Sequence, residues 1–183
     1  MANLCRMTVD WPREVDRLPS SRHAGAMTVD RLDAEIIELF AAEPRVVVLE
    51  ASRRLGVARG TVQARLDRMG RDGVIRGFGP ELDPAAMGYP VTAYCSLEIR
   101  QGLGHDAVCA HLAAIAEVLE AHTITGSGDL LVRVVARSNA DLQRVIDRVV
   151  DDEHVLRTST VIALDTQVPH RVLPLLRDAA GRE

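Results

Sequence analysis

The sequence predicts an α+β protein, an N-terminal winged helix-turn-helix joined to a C-terminal ferredoxin-like (βαββαβ) domain. Three observations predict it. First, between Arg53 and Arg76 seven arginines stand against only two acids, Asp67 and Asp72, a local balance of +5. The whole chain carries −4, so everything outside that segment sums to −9. One basic segment on an acidic protein is the electrostatic footprint of a polyanion partner. Second, the same segment carries helical apolar spacing broken by a turn glycine. Third, the C-terminal half alternates strand and helix patterns in the order β-α-β-β-α-β.

Each element follows from spacing. A first helix is expected from about Asp30 to Ala42, where Leu32, Ile36 and Leu39 recur at i, i+4, i+7 and Ile37 and Phe40 widen the stripe. Pro44 punctuates its end. A second helix covers about Val46–Leu55, with Val48, Ala51 and Leu55 on one side. Gly56 follows, suited to a tight helix-to-helix turn because it tolerates positive φ. A third helix spans about Arg59–Asp72, with Val62, Leu66 and Met69 in line. Gly73-Val74-Ile75 opens a short extended stretch, and Arg76-Gly77-Phe78-Gly79-Pro80 reads as a wing or hairpin. Asp83-Pro84 and Gly88-Tyr89-Pro90 mark a linker.

Beyond the linker, Val91, Ala93, Cys95, Leu97 and Ile99 alternate with polar residues, a strand by period two. A helix near His105–Val118 carries Val108, Leu112 and Ile115. Leu119–Thr125 reads as a second strand, Gly126-Ser127-Gly128-Asp129 as a hairpin turn and Leu130–Arg137 as a third strand. Ser138 or Asn139 caps a helix with the stripe Leu142, Val145, Ile146 and Val149. Val155–Leu164 is the fourth strand. The expected organisation is an arm over residues 1–27, the winged helix-turn-helix over 28–84, the ferredoxin-like domain over 85–168 and a tail over 169–183. The arm is rich in Pro, Ser and Gly and sparse in apolar residues, and Met27 is an alternative start. Leu173, Leu175 and Leu176 give the tail something to pack.

Composition narrows the function. With 47% hydrophobic residues the chain can bury a core, but aromatics at 3% leave that core to Val, Leu, Ile and Ala. Every basic residue is arginine, which suits bidentate phosphate and guanine contacts and which genome base composition also explains. Three cysteines, Cys5, Cys95 and Cys109, without C-x-x-C spacing argue against a disulfide framework or zinc ribbon and for a reducing cytoplasm. No apolar run reaches membrane-span length. His105 and Cys109 share a helical face with His111 nearby, too few ligands for zinc. No nucleophile elbow, Walker loop or catalytic carboxylate pair is present.

The third helix resolves by face. Val62, Leu66 and Met69 point inward. Gly60, Thr61, Gln63 and Ala64 point away near the N-terminal end, the end that enters the major groove in this motif. Arg59 suits guanine, Gln63 adenine, and Thr61 or Ala64 a thymine methyl. Arg53, Arg54, Arg68 and Arg71 suit phosphates, which position without specifying. Arg65, at the edge of the buried stripe, reads as either a surface charge or a structural ion-pair partner.

These residues resemble the Lrp/AsnC family, the feast/famine regulators of bacteria and archaea, over about Asp30 to Gln167. The segments that carry the resemblance are L-D-A-E-I-I-E-L (32–39), Arg45, R-R-L-G-V (53–57) and V-Q-A-R-L-D-R-M-G-R-D-G-V-I (62–75). L-D-P-A-A-M-G-Y (82–89), T-G-S-G-D-L-L-V-R-V (125–134) and R-T-S-T-V-I (157–162) continue it. The resemblance implies a sequence-specific, DNA-binding transcriptional regulator. Its partners would be double-stranded DNA, a second copy of itself in a dimer paired through sheets, and further copies in an octamer built of dimers. It implies an amino-acid effector, no other cofactor and no metal. The family's hairpin motif resembles Gly-Asp-aromatic-Asp, which here reads Gly126-Ser127-Gly128-Asp129, without the first acid and the aromatic. That departure implies altered ligand choice or reduced binding. By the resemblance, Asp129 receives an ammonium group and the turn N–H groups face a carboxylate. Thr125 adjoins the turn, Thr158, Ser159 and Thr160 match polar ligand-side positions, and Asn139 matches a further response residue. The family's usual Ser at the start of the recognition helix is Ala58 here, a lost cap that costs ~1 kcal/mol.

The architecture is not exclusive to regulators. Sirohaem decarboxylases resemble the same plan, which makes His122 and His154 the candidates for an enzyme reading. A further alternative is a co-regulator module that tunes a partner without reading DNA.

Overall fold

The computed structural model describes residues 28–100 and 104–181. The expected arm, with Met27, lies outside the described residues. The chain divides into two compact units, one holding residues 28–78 and 172–181 and the other residues 79–171.

The first unit is built on three helices, α1 (Arg31–Ala42), α2 (Val48–Leu55) and α3 (Arg59–Arg71). Asp30 caps α1 by a reciprocal box: its carboxylate accepts the Asp33 N–H at 2.9 Å, and the Asp33 carboxylate accepts the Asp30 N–H at 3.2 Å. The expected stripes meet in a core of Ile36, Ala51, Val62 and Met69, with Leu32, Leu39, Leu55 and Leu66 packed around it. Helix α2 starts two residues later than its spacing suggested. The Val46 N–H turns back to the Glu43 carbonyl, and Val47 stays extended as the cap. Gly56 ends α2 at φ +67°, where a side chain would be strained, and the Val57 N–H closes the turn onto the Ser52 carbonyl.

Two expectations need correction. The wing segment forms no strand and therefore no hairpin; Phe78 there lies edge-on to Phe40, ring centres 6.0 Å apart. The tail is helical. Its residues Leu173–Ala180 form α6, which packs on α1. Its apolar residues recur at helical spacing, but the sequence offered no cap or surface to dock on until α1 was folded.

The second unit is a four-stranded antiparallel sheet in the order β2-β3-β1-β4, with β1 Val91–Ile99, β2 Val118–Thr123, β3 Leu130–Ala136 and β4 Val155–Ala163. Helices α4 (Gly104–Ala113) and α5 (Asn139–Val150) are the crossovers, as the ferredoxin-like pattern requires. Ala93, Cys95, Leu97, Val132 and Val134 meet Val108, Leu112, Val145 and Val149 in its core. Burial pushes the Cys95 thiol up, and it acts as a small core residue. Helix α4 ends at Ala113, earlier than its stripe suggested, because the chain turns through Ala114 and Ile115 to start β2 at Val118.

That turn brings Glu117 onto α5, where its carboxylate accepts from Arg144 at 2.8 Å and Arg148 at 2.9 Å. The Glu117 side chain is 10% exposed, while the two arginines are about half exposed. The Arg144 hydrogen bond, against the penalty of burial, holds Glu117 below the usual carboxylate range. A lowered pKa means that the stabilisation is fully present above the unfolded value of about 4.3 and is lost as pH falls through the lower folded value. Glu117→Gln is therefore expected to cost about 1–2 kcal/mol at pH 7 and to flatten the acid limb of stability, measured by urea unfolding between pH 2 and 7.

Candidate nucleic-acid interface and effector hairpin

Helix α3 is held by an ion-pair cluster on its inner edge. Asp33 is fully buried. Its two oxygens accept from Arg65 at 2.8 Å and Arg68 at 2.6 Å, and Arg65 also donates to Asp30 at 2.5 Å. The Arg65 bond lowers the Asp30 pKa, and the Asp30 and Asp33 carboxylates raise that of Arg65. Arg65 is thus a structural ion-pair partner. Arg68, expected on phosphate, is committed to the buried carboxylate through Nη2, and its Nε is buried without a partner. Its side chain nevertheless stays 40% exposed. Asp33 was the residue that sequence reading missed, although an acid three positions after Asp30 is a capping-box signal.

The opposite edge is open. Arg59, Gly60, Thr61 and Ala64 are exposed, and Gln63 is half-buried with its amide donating to Asp67 at 2.8 Å. Ala58 caps α3 without a side-chain hydrogen bond. Arg53, Arg59 and Arg71 make no ion pair with a described residue, whereas Arg54 is bound by Glu43 at 2.5 Å and Glu50 at 2.9 Å. The basic cluster therefore divides into arginines that hold the fold and arginines that remain open to solvent.

The hairpin residues sit at one end of the second unit's sheet. Gly128 is buried against β1: a Cβ there would lie 2.3 Å from Ser96 Oγ and 3.3 Å from the Leu97 carbonyl, so a side chain enters only if the Ser96 hydroxyl turns away. One Asp129 oxygen accepts the Ile99 N–H at 2.8 Å, and the Asp129 N–H donates to the Leu97 carbonyl. Asp129 thereby satisfies the end of β1. On β4, Ser159 pairs with Ser96, while Thr158 and Thr160 pair with Leu97 and Cys95. Side chains alternate, so Ser159 shares the open face with Ser96, and Thr158 and Thr160 share the helix-side face. Thr160 Oγ1 donates to Cys95 Sγ at 3.4 Å, and Thr158 Oγ1 is buried without a partner. Thr125 through Ser127 are exposed. Asn139, exposed at the first turn of α5, lies at the other end of seven-residue β3, about 20 Å along the strand. One chain does not bring Asn139 to the hairpin. Ser96, beneath the turn, went unnoticed because it reads as an ordinary outward strand residue.

The other candidates have local roles. His111 lies 2.7 Å from the Arg148 carbonyl, and His154 packs over Gly104 with Nδ1 2.8 Å from Asp152. His122 is exposed beside Glu120. Among the described residues no cluster of three metal-ligating side chains occurs, and no helix is long and apolar enough to cross a membrane.

Comparison with known proteins fits this geometry. Residues 29–76 match the family described as winged helix-turn-helix DNA-binding, and residues 92–173 match the Lrp/AsnC ligand binding domain. The chain belongs to the Lrp/AsnC family. It is 29% identical to the HTH-type transcriptional regulator FL11 of Pyrococcus furiosus over 147 residues, 80% of this chain and 97% of that protein. It is 27% identical to the regulatory protein AsnC of Escherichia coli K12 over the same shares. The solved structure of E. coli AsnC superposes with a TM-score of 0.74 at 26% identity, over 81% of this chain and all of that one. The feast or famine regulatory protein of M. tuberculosis, complexed with L-methionine, superposes at 0.68 with 26% identity, over 78% and 97%. These relatives are regulators, and this Lrp/AsnC chain is a DNA-binding transcriptional regulator with a ligand-binding domain rather than an enzyme.

Two substitutions test how α3 is held. Asp33→Ala, which leaves two guanidinium groups without their carboxylate, is expected to cost about 3 kcal/mol, read by chemical denaturation. Ala58→Ser restores a cap and is expected to add about 1 kcal/mol and to slow amide exchange at residues 59–61.

Proposed function

We propose that this regulator reads duplex DNA with the edge Arg59, Gly60, Thr61, Gln63 and Ala64 of α3. Arg53 and Arg71 contact phosphates, with Arg54 and Arg68 contributing from their paired positions. The observation that carries the reading is the division of the arginines: Arg65 and Arg68 anchor the inner edge, while Arg53, Arg59 and Arg71 have no ionic partner among the described residues. An arginine with no carboxylate to leave pays no exchange penalty on reaching a phosphate or guanine. The acidic remainder of the chain is repelled by DNA and favours docking through this helix.

We further propose that the ligand is a free amino acid held at the hairpin end of the sheet. The related M. tuberculosis protein complexed with L-methionine supports this class. Ser96 and Ser159 share the open face there, with Gly128 packed on Ser96. Asn139 sits about 20 Å along the strand, so it joins such a site only from another copy. That favours a ligand bound between copies of a homodimer or of an octamer built of dimers. Exposed Leu156, Val161, Ile162 and Leu164 along edge strand β4 favour self-association. A DNA-bound regulator of this kind acts in the cytoplasm.

Both readings are testable. On a duplex recovered by selection from random sequence, Arg59→Ala and Gln63→Ala are each expected to cost about 1–3 kcal/mol and to relax preference at one base position. Arg71→Ala is expected to weaken all sequences alike and lower the salt slope by ~1. Unchanged affinity and preference in both reading-edge variants would falsify the assignment. For the effector, a thermal-shift screen of the twenty amino acids is expected to single out a binder that adds about 2.7 kcal/mol at a hundred times its Kd. Ser159→Ala should abolish that shift; a flat screen sinks the amino-acid class.

A further inference from the structure

One side chain on the reading edge of α3 is tied down. Gln63 Nε2 donates to Asp67 Oδ1 at 2.8 Å. The start of the helix, at Ala58, has no side-chain cap, so this bond is the side-chain tether nearest the end that enters the groove. Asp67 is one of only two acids in the basic segment Arg53–Arg76. Arg71 stands four positions further on, yet Asp67 makes no ion pair among the described residues; its carboxylate is turned to the Gln63 amide instead.

The helix places the pair for this work. Asp67 lies two residues before the fully buried Met69, which is about 200° round a helix of 3.6 residues per turn, and it is exposed on the side away from the core. Gln63 and Asp67 are i, i+4 neighbours, and helical side chains lean toward the N-terminus. Asp67 therefore reaches back to Gln63. It stands one turn, about 6 Å, behind Gln63 along the axis, away from the groove end.

The donor and acceptor count gives the tether a meaning. A carboxylate only accepts, so it takes the NH2 group of Gln63 and turns Oε1 away from itself. One N–H is committed to Asp67. One N–H and Oε1 remain, a donor beside an acceptor. Adenine presents the complement in the major groove, an N7 acceptor beside the N6–H donor, whereas guanine presents two acceptors, N7 and O6. A free amide meets guanine by turning its NH2 group toward both acceptors. A tethered amide keeps Oε1 in place, opposite O6, where two acceptors repel.

We propose that Asp67 is a positioning residue for specificity: it fixes the orientation of the Gln63 amide so that Gln63 takes adenine and rejects guanine. This rests on the reading of DNA by Gln63 given above. Asp67 contributes discrimination at the expense of affinity, because its own charge opposes the phosphates.

The test uses the full chain with Gln63→Ala, Asp67→Asn, Asp67→Ala and Asp67→Glu. Asparagine keeps the shape but offers an NH2 group of its own, while glutamate keeps an acceptor-only carboxylate. The first measurement needs no DNA. By NMR, the bonded Gln63 side-chain amide proton is expected to shift upfield in Asp67→Ala. An unmoved resonance overturns the tether. The second measurement uses the selected duplex and takes the A·T pair at which Gln63→Ala relaxes preference. Changing that pair to G·C is expected to cost the full chain about thirtyfold in affinity, within the range of one bidentate pair, and Asp67→Asn and Asp67→Ala about fivefold or less. Asp67→Glu should recover part of the difference. On a duplex of unrelated sequence the Asn and Ala variants are expected to bind about threefold tighter, since a negative charge has left the interface.

Weaker binding to every duplex with the adenine preference intact would make Asp67 a helix-stabilising partner alone and overturn the proposal. So would a larger preference in Asp67→Ala, which marks a competitor for the amide, or a preference lost at a neighbouring pair, which marks Asp67 as a base reader itself. If Gln63→Ala relaxes no position, the DNA reading fails and the proposal falls with it. If Gln63→Ala relaxes one and the Asp67 variants keep the full ratio there, the reading stands and the tether alone is wrong.

Discussion

The first unit depends on one buried carboxylate. Asp33 has no exposed surface, and an unpaired charge there would be far too costly to keep. Arg65 and Arg68 remove that cost from one side and the Asp30 N–H from another. The arrangement is demanding because the carboxylate must cap α1 and receive two guanidinium groups from α3 at once. That demand sets the rotation of α3 about its own axis: both arginines point inward, so the residues half a turn away point out. The open edge Arg59 to Ala64 is a consequence of the anchor, as is the pairing of Arg68 with a buried carboxylate. The same logic recurs in the second unit, where Glu117, just before β2, joins that turn to α5 through Arg144 and Arg148.

The ligand-binding unit is governed by backbone parity. Thr158, Ser159 and Thr160 are consecutive, and a strand sends consecutive side chains to opposite faces. They therefore cannot line one site together. Ser159 joins Ser96 beneath the hairpin, and the threonines turn to the helix side. Asp129 uses one oxygen to close the end of β1 by accepting the Ile99 N–H. Gly128 packs on Ser96.

Much of this was legible in the chain. The periodic stripes of α1, α3 and α5 and the alternation of β1 located the elements, because burial on one face imposes a period that polar residues cannot counterfeit. Gly56 announced its turn through the one property that only glycine supplies cheaply. Less legible were ends and partners. Helix α2 began late because a backbone hydrogen bond from Val46 to Glu43 competed with the helix. Helix α4 stopped early where the chain turns through Ala114 and Ile115, and Glu117 beyond that turn has partners on α5 that no local pattern reveals. The wing formed no strand, and its Phe78 lies edge-on to Phe40. The apolar residues of the C-terminal tail were visible, but their destination on α1 was not.

The sequence by itself determined the order of elements, the inward stripes and the concentration of positive charge in one segment, since these depend on residue spacing alone. Only the tertiary structure decided which arginines keep their charge for a partner, which strand residues share a face with the hairpin, and where the last helix docks. These are matters of pairing between residues far apart in the chain: Asp33 with Arg65 and Arg68, Ser96 with Ser159, Glu38 with Arg177. A charge or hydroxyl carries no mark of its partner until folding brings the two within hydrogen-bonding distance.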